Sequence, residues 1–191
     1  LGHGIIVLAG TKLAQSELSH VARPHLARLS HETNETTHLA ILHRNELLYL
    51  EKIESSQPVR VAARKEEGAA ALHGKRKGPL AFQPNEVIEE ALRAPRARYT
   101  ENTIVDPAVL RSQLAEIRQA GYCIEREEFI ADIRGIAAPV FDFNGTVIAA
   151  IAVVGPSARI TEGQIEALVP LTLRTAESIS RSLGHKPYKD A

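Results

Sequence analysis

The sequence predicts an α+β domain built on an antiparallel sheet, and three observations carry that expectation. Asn144-Gly145 separates two apolar runs in "GIAAPVFDFNGTVIAAIAVVG", and tight hairpins of this kind join antiparallel neighbours only. Two further strand-like runs, "TTHLAILHR" and "LLYLEKIE", flank the polar pair Asn45-Glu46. Alternating strand-helix-strand units, the mark of a parallel sheet, are missing.

In chain order, Leu13, Leu18, Val21, Leu26 and Leu29 recur at mostly helical spacing between Thr11 and Ser30. Pro24 lacks the N–H that the helical ladder needs there, so a kink or restart is expected. The two strand-like runs follow, and "VRVAAR" after Pro58 is expected to complete a three-stranded meander. The stretch from Lys65 to Gly78 mixes Gly, Ala and cations and is too long for a simple turn. "NEVIEEALRA" after Pro84 predicts a short helix ended by Pro95. Pro107 opens a second, with Val109, Leu110, Leu114 and Ile117 on one face and Gly121 as its stop. Asn144-Gly145 predicts a type I′ turn, in which both central residues take positive φ. Thr161 caps the last helix, which presents Leu168, Leu171, Ala176 and Ile179 and runs toward Gly184. The tail "HKPYKDA" is expected to fray.

The bulk numbers narrow the function classes. A chain of 191 residues supports one domain with a buried core. Its 23 basic and 23 acidic residues cancel, so no global field draws it to nucleic acid or an anionic membrane, and anion recognition must be local. No apolar run approaches the ~18 residues of a membrane span. The single cysteine, Cys123, cannot form an internal disulfide, which fits a reducing compartment and a cytoplasmic protein. The opening "LGHGIIVLAG" lacks the charged start and cleavage site of a signal peptide, and the chain, having no methionine, reads as a fragment.

Tests for reaction chemistry return little. "GAAALHGK" resembles a phosphate loop but has five residues where four are needed, and Arg76 stands in place of the magnesium-binding Ser or Thr. Cys123 in "AGYCIE" has no histidine nearby in sequence and reads as a packed residue. The histidine pairs His20/His25 and His38/His43 are five apart, not the four that build a helical zinc site, so neither a metal nor another cofactor is expected. In "EREEF", an extended chain puts Glu125 and Glu127 on one face and Arg126 and Glu128 on the other. A solvated sheet edge explains them more simply than an acid-base pair. Three cations, Lys75, Arg76 and Lys77, sit between glycines in "LHGKRKGPLAF" and either face an anion or face water.

Four segments together resemble the C-terminal effector-binding domain of IclR-family bacterial transcription regulators. They are "ARPHLARLSHETNETTHLAIL", "YLEKIESSQPVRVAAR", "YTENTIVDPAVLRSQLAEIRQAGYCIEREEF" and "GIAAPVFDFNGTVIAAIAVVGPSARITEGQIEAL". The resemblance implies a GAF-like or profilin-like sensor domain, its central antiparallel sheet flanked by helices. Residues 1–10 are similar to the end of an interdomain linker, residues 11–184 would be the sensor, and residues 185–191 a flexible tail. An N-terminal winged helix-turn-helix domain, absent from this chain, would be the part that meets DNA. The resemblance implies no enzyme activity but a small organic or aromatic acid as effector of a catabolic operon, and a homodimer or tetramer.

By motif, the effector loop corresponds to Leu72, His73, Gly74, Lys75, Arg76 and Lys77. The acidic position after Gly-Tyr corresponds to Glu125, and the strand positions to Ile133 and Gly135. Apolar walls would come from Val59, Ala62 and Ala70. Two departures bear on geometry. Asp132 stands where the family has a glycine, which implies unusual backbone geometry there. Gly135 stands where the family often has a side chain touching effector, which implies a deeper pocket floor. Two other readings stay open on the residues: a hydrolase or lyase using Glu125 with His73, and a ligand-free dimerisation domain.

Overall fold

The computed structural model describes residues 2–43, 46–61 and 77–186. Its elements run α1 (Gly2–Thr33), β1 (Thr36–His43), β2 (Glu46–Ile53), α2 (Lys77–Leu80), α3 (Asn85–Arg93), α4 (Pro107–Ala120), β3 (Cys123–Arg126), β4 (Ile133–Phe141), β5 (Val147–Pro156) and α5 (Glu162–Ser182). The five strands form one sheet in the order β2-β1-β5-β4-β3, and every pairing is antiparallel. The predicted fold class is the observed one.

Strand alternation divides the sheet into two faces. Leu39, Ala138, Val140, Ala149, Ile151 and Val153 point to one side, where they meet Leu18, Ala22, Leu26 and Leu29 of α1 and Ala176 and Ile179 of α5. Cys123, Ala137, Ala152 and Val154 point to the other, beneath Leu80 and Ala81, Ile88 and Leu92 of α3, and Leu110, Leu114 and Ile117 of α4. The long helices α1, α4 and α5 each bury one stripe at spacings of three and four residues, as burial against a sheet requires.

Several local expectations change. α1 runs through Pro24 as one element; Ala22 and Leu26 are buried on either side of it, and that packing offsets the one lost hydrogen bond. Among the described residues no third meander strand follows β2. Residues 59–61 are not in a strand, residues 62–64 lie outside the described residues, and the other neighbour of β1 is the distant β5. Val109 is 46% exposed, because the buried stripe of α4 starts at Leu110. The β4-β5 turn is not type I′. Gly145 has φ 77 but Asn144 is not among the residues of positive φ. The Asp142 side chain instead accepts from the backbone N–H groups of Asn144 and Thr146, both at 2.9 Å. Gly145 N–H closes a turn on the Asp142 carbonyl at 3.1 Å, the three-residue loop with glycine in the left-handed position. His185 does not fray: its ring stacks on Phe141 with centroids 5.1 Å apart, and its N–H donates to the Ser180 carbonyl at 2.9 Å.

Other expectations hold. Gly121 ends α4 with φ 78, its N–H donating to the Ile117 carbonyl. Pro107 opens that helix as expected, and Asp106, not singled out from the sequence, caps it by accepting from Ala108 and Val109 N–H. Thr161 Oγ1 accepts from Gln164 N–H at the start of α5. Among the described residues no helix is long and apolar enough to cross a membrane.

Candidate functional site

Registers fix what stands beside what on the sheet face under α2. One row reads Glu125, Gly135, Val154, Thr36, and the next Cys123, Ala137, Ala152, His38. A third row pairs Pro139, Ala150 and Ala40. The middle of this face is therefore floored by alanines, with longer polar side chains at its margins. His38, 1% exposed, meets the Tyr49 ring edge-on with centroids 5.0 Å apart. The short α2 lies across β4, β5 and β1. It packs down on the sheet at Gly78, where a Cβ would make van der Waals contact with that of Ala137 at 3.4 Å and that of Cys123 at 3.6 Å.

The expected site residues separate. Ala62, Ala70, Leu72, His73, Gly74, Lys75 and Arg76 lie outside the described residues. Lys77 is described and 1% exposed. Its Nζ donates to Glu128 Oε1 at 2.6 Å and to Gln113 Oε1 at 2.9 Å. Its charge is thus already matched by a buried carboxylate. Beside this pair opens a cleft of about 190 Å³, lined by Lys77, Gln113, Tyr122, Ile124 and Arg126.

Glu125 and Glu128 are 3% and 5% exposed, so the solvated-edge reading of "EREEF" is corrected. β3 does lie at the sheet edge, but the strand stops at Arg126, and Glu127 takes φ 60. The turn aims both carboxylates inward, where they find donors. Glu125 Oε1 accepts from the N–H groups of Glu128 at 2.6 Å and Phe129 at 3.2 Å, while Glu128 takes Lys77. Thr100 and Thr103 of "YTENT" complete the lock, their hydroxyls donating to the Glu127 and Glu128 carbonyls at 2.7 and 2.6 Å. The left-handed geometry expected at Asp132 is present, with φ 62.

Ile133 is partly buried against the cluster that holds Ala137, and Gly135 sits in the Glu125 row. A Cβ at Gly135 would stand 3.2 Å from the Val153 carbonyl oxygen and 3.4 Å from Val154 Cγ2. Val154 therefore fills the space expected to deepen the floor. Val59 is 69% exposed, and what it offers inward is its carbonyl, which accepts from Arg159 Nη2 at 3.0 Å.

Cys123 is buried beneath α2, and desolvation pushes its thiol up to about 12, against a smaller opposing pull from Lys77. It stays protonated and un-nucleophilic. Among the described residues no group of three or more His, Cys, Asp or Glu could hold a metal ion. Sequence reasoning missed His38, Glu128, Glu35 and Arg159. The "TTHLA" alternation could have marked His38 as sharing the face of Thr36, but the ion pairs join residues far apart in the chain.

Comparison with known proteins accounts for this arrangement. Residues 10–181 match the family described as bacterial transcriptional regulator IclR, C-terminal. The chain belongs to the IclR family. It is 36% identical over 182 residues to the HTH-type transcriptional regulator BhcR of Paracoccus denitrificans, covering 94% of this chain and 64% of that protein. The chain thus spans a little under two thirds of the length of that relative. Its fold is similar to that of Thermotoga maritima IclR, with TM-score 0.83 at 30% identity, over 96% of this chain and 75% of that one. It is also similar to an IclR homologue of Microbacterium hydrocarbonoxydans solved with 4-hydroxybenzoate, with TM-score 0.79 at 32% identity, over 88% and 69% of the two chains. These IclR-family relatives are transcription regulators, so the hydrolase or lyase reading falls away. Glu125, committed to two backbone amides, is a turn-forming carboxylate here.

Proposed function

We propose that this chain senses a small organic or aromatic acid on behalf of a cytoplasmic IclR-type regulator, and that the acid binds over the alanine-floored sheet face. The observation that carries the reading is that face. Ala40, Ala150 and Ala152 leave height above the strands next to Ala137, which α2 covers, and Val61 and Lys77, the described residues that flank the effector segment, are both buried. An apolar floor with few polar groups at its margin suits a ring or short carbon chain carrying one charged end. The 4-hydroxybenzoate held by the Microbacterium relative is a ligand of that class.

In this reading Ala62, Ala70 and Leu72 supply apolar contact, while His73, Gly74, Lys75 and Arg76 meet the carboxylate through amides and charge. Lys77 works differently, holding the loop's end in place through Glu128. Binding favours one pairing of two or four sensor domains over another, and that pairing repositions an N-terminal DNA reader. Such coupling requires different affinities for the two arrangements.

The test is a thermal-shift panel of small carboxylic acids that includes 4-hydroxybenzoate. An acid at about 100 times its Kd adds about 2.7 kcal/mol, which for a domain of this size raises Tm by about 5–10 °C. The acid is recovered unchanged, and Arg76→Ala reduces the shift. A panel with no shift refutes the effector reading, and an undiminished shift in Arg76→Ala removes that arginine from the site.

A further inference from the structure

We propose that Arg159 is a positioning residue for the effector loop, holding its N-terminal stem at Val59, and that Glu35 in turn holds Arg159. The proposal rests on the effector reading given above.

Arg159 lies in the turn between β5 and α5, where its own N–H donates to the Pro156 carbonyl at 2.9 Å. Its guanidinium is shared between two jobs. Nε and Nη2 grip the Glu35 carboxylate as a two-point fork, with Nη2 to Oε2 at 2.8 Å. The same Nη2 donates to the Val59 carbonyl at 3.0 Å. The Glu35 hydrogen bonds hold the guanidinium above its ordinary pKa, so it is a permanent cation here.

The carboxylate side of the pair is built into the core. The Glu35 side chain is 5% exposed, and its backbone carbonyl accepts from Ser30 Oγ at 2.8 Å. Gly155 leaves room for it, since a Cβ there would fall 2.4 Å from Glu35 Oε2. A buried carboxylate with no cation is costly, so Glu35 fixes Arg159 in one place. The Val59 carbonyl then sits against a fixed donor, although the Val59 side chain projects into water. Lysine preserves the charge but offers no planar fork, and one ammonium cannot reproduce the three contacts in their geometry.

The C-terminal stem is held separately by Lys77 and Glu128. The two clamps meet at the same rim of the sheet, because Ser157 N–H donates to the Asp132 carbonyl at 2.8 Å, joining the Arg159 turn to the Glu127–Asp132 loop. The structure thus fastens both described ends of the effector segment to one edge.

The experiment compares wild type, Arg159→Lys and Arg159→Gln in the full chain by amide hydrogen exchange and by affinity for the acid that shifts the wild type. Exchange in residues 54–61 is expected to quicken by about ten-fold while the β4-β5 hairpin keeps its wild-type rate. Affinity is expected to fall by about five-fold or more, less in Arg159→Lys than in Arg159→Gln. Gly155→Ala, which leaves both ionic groups intact but crowds Glu35, is expected to reproduce the same local quickening. Unchanged exchange at 54–61, or quickening spread evenly over the sheet, overturns the proposal, as does local quickening with undiminished affinity. If no acid binds the wild type, the effector reading falls, and the exchange pattern alone decides whether Arg159 holds the stem.

Discussion

Replacing Lys77 with methionine should be the most damaging single change at this site. The substitution keeps an unbranched apolar stem of similar length, so the packing of the buried stem is largely preserved. What it removes is the cation that matches Glu128, whose side chain is 7% exposed, and two donated hydrogen bonds at 2.6 and 2.9 Å. Breaking a buried pair by removing one partner costs about 3–5 kcal/mol, because the remaining charge has lost its counter-ion and cannot reach water. A domain of ordinary stability, about 5–15 kcal/mol, loses a large share of it. Urea denaturation followed by circular dichroism reads the change as a fall in midpoint at constant slope. Adding Glu128→Gln to Lys77→Met should recover more than half of the loss, since the orphaned charge is gone. The exposed pair Arg111–Glu89, with side chains 53% and 39% accessible, is the control: Glu89→Ala should leave the midpoint essentially unmoved. A loss below about 1 kcal/mol in Lys77→Met would refute the reasoning, because it would mean that water or another cation reaches Glu128.

Cys123 should resist iodoacetamide at pH 8 in the folded protein and react at once in denaturant. Its folded thiol keeps its proton to about 12, whereas the unfolded thiol loses it near 8.5. Between those values the unfolded chain binds fewer protons, so stability should fall as pH rises, by up to about 1.4 kcal/mol per unit. Below that window nothing is lost, and Cys123→Ala should flatten this part of the slope. Asp106→Ala should cost about 1 kcal/mol by releasing the N–H groups that open α4, measured by thermal or urea melting.

Local chemistry was legible where a residue acts on its neighbours. Gly121 and Thr161 mark their helix ends because a cap needs only adjacent backbone, whereas the left-handed geometry at Asp132 was expected only through the motif resemblance. The β4-β5 hairpin was legible in place but not in type. Asp142, reaching forward to two amides, moved the turn, and dipeptide preference alone does not register that competition.

What the sequence by itself determined is the fold class, the positions of most helices and strands, and, through motif resemblance, the family. Periodicity and caps depend on spacing along one chain. Only the tertiary structure decided which charges are buried. "EREEF" read as solvent-facing because charged residues normally are, and "KRK" left an anion and water equally open, yet Glu128 and Lys77 neutralise each other in the interior. Glu35 finds Arg159 across most of the chain in the same way. A buried ion pair exists only when folding brings both partners together as water leaves, and no pattern within either segment records the partner that makes burial affordable.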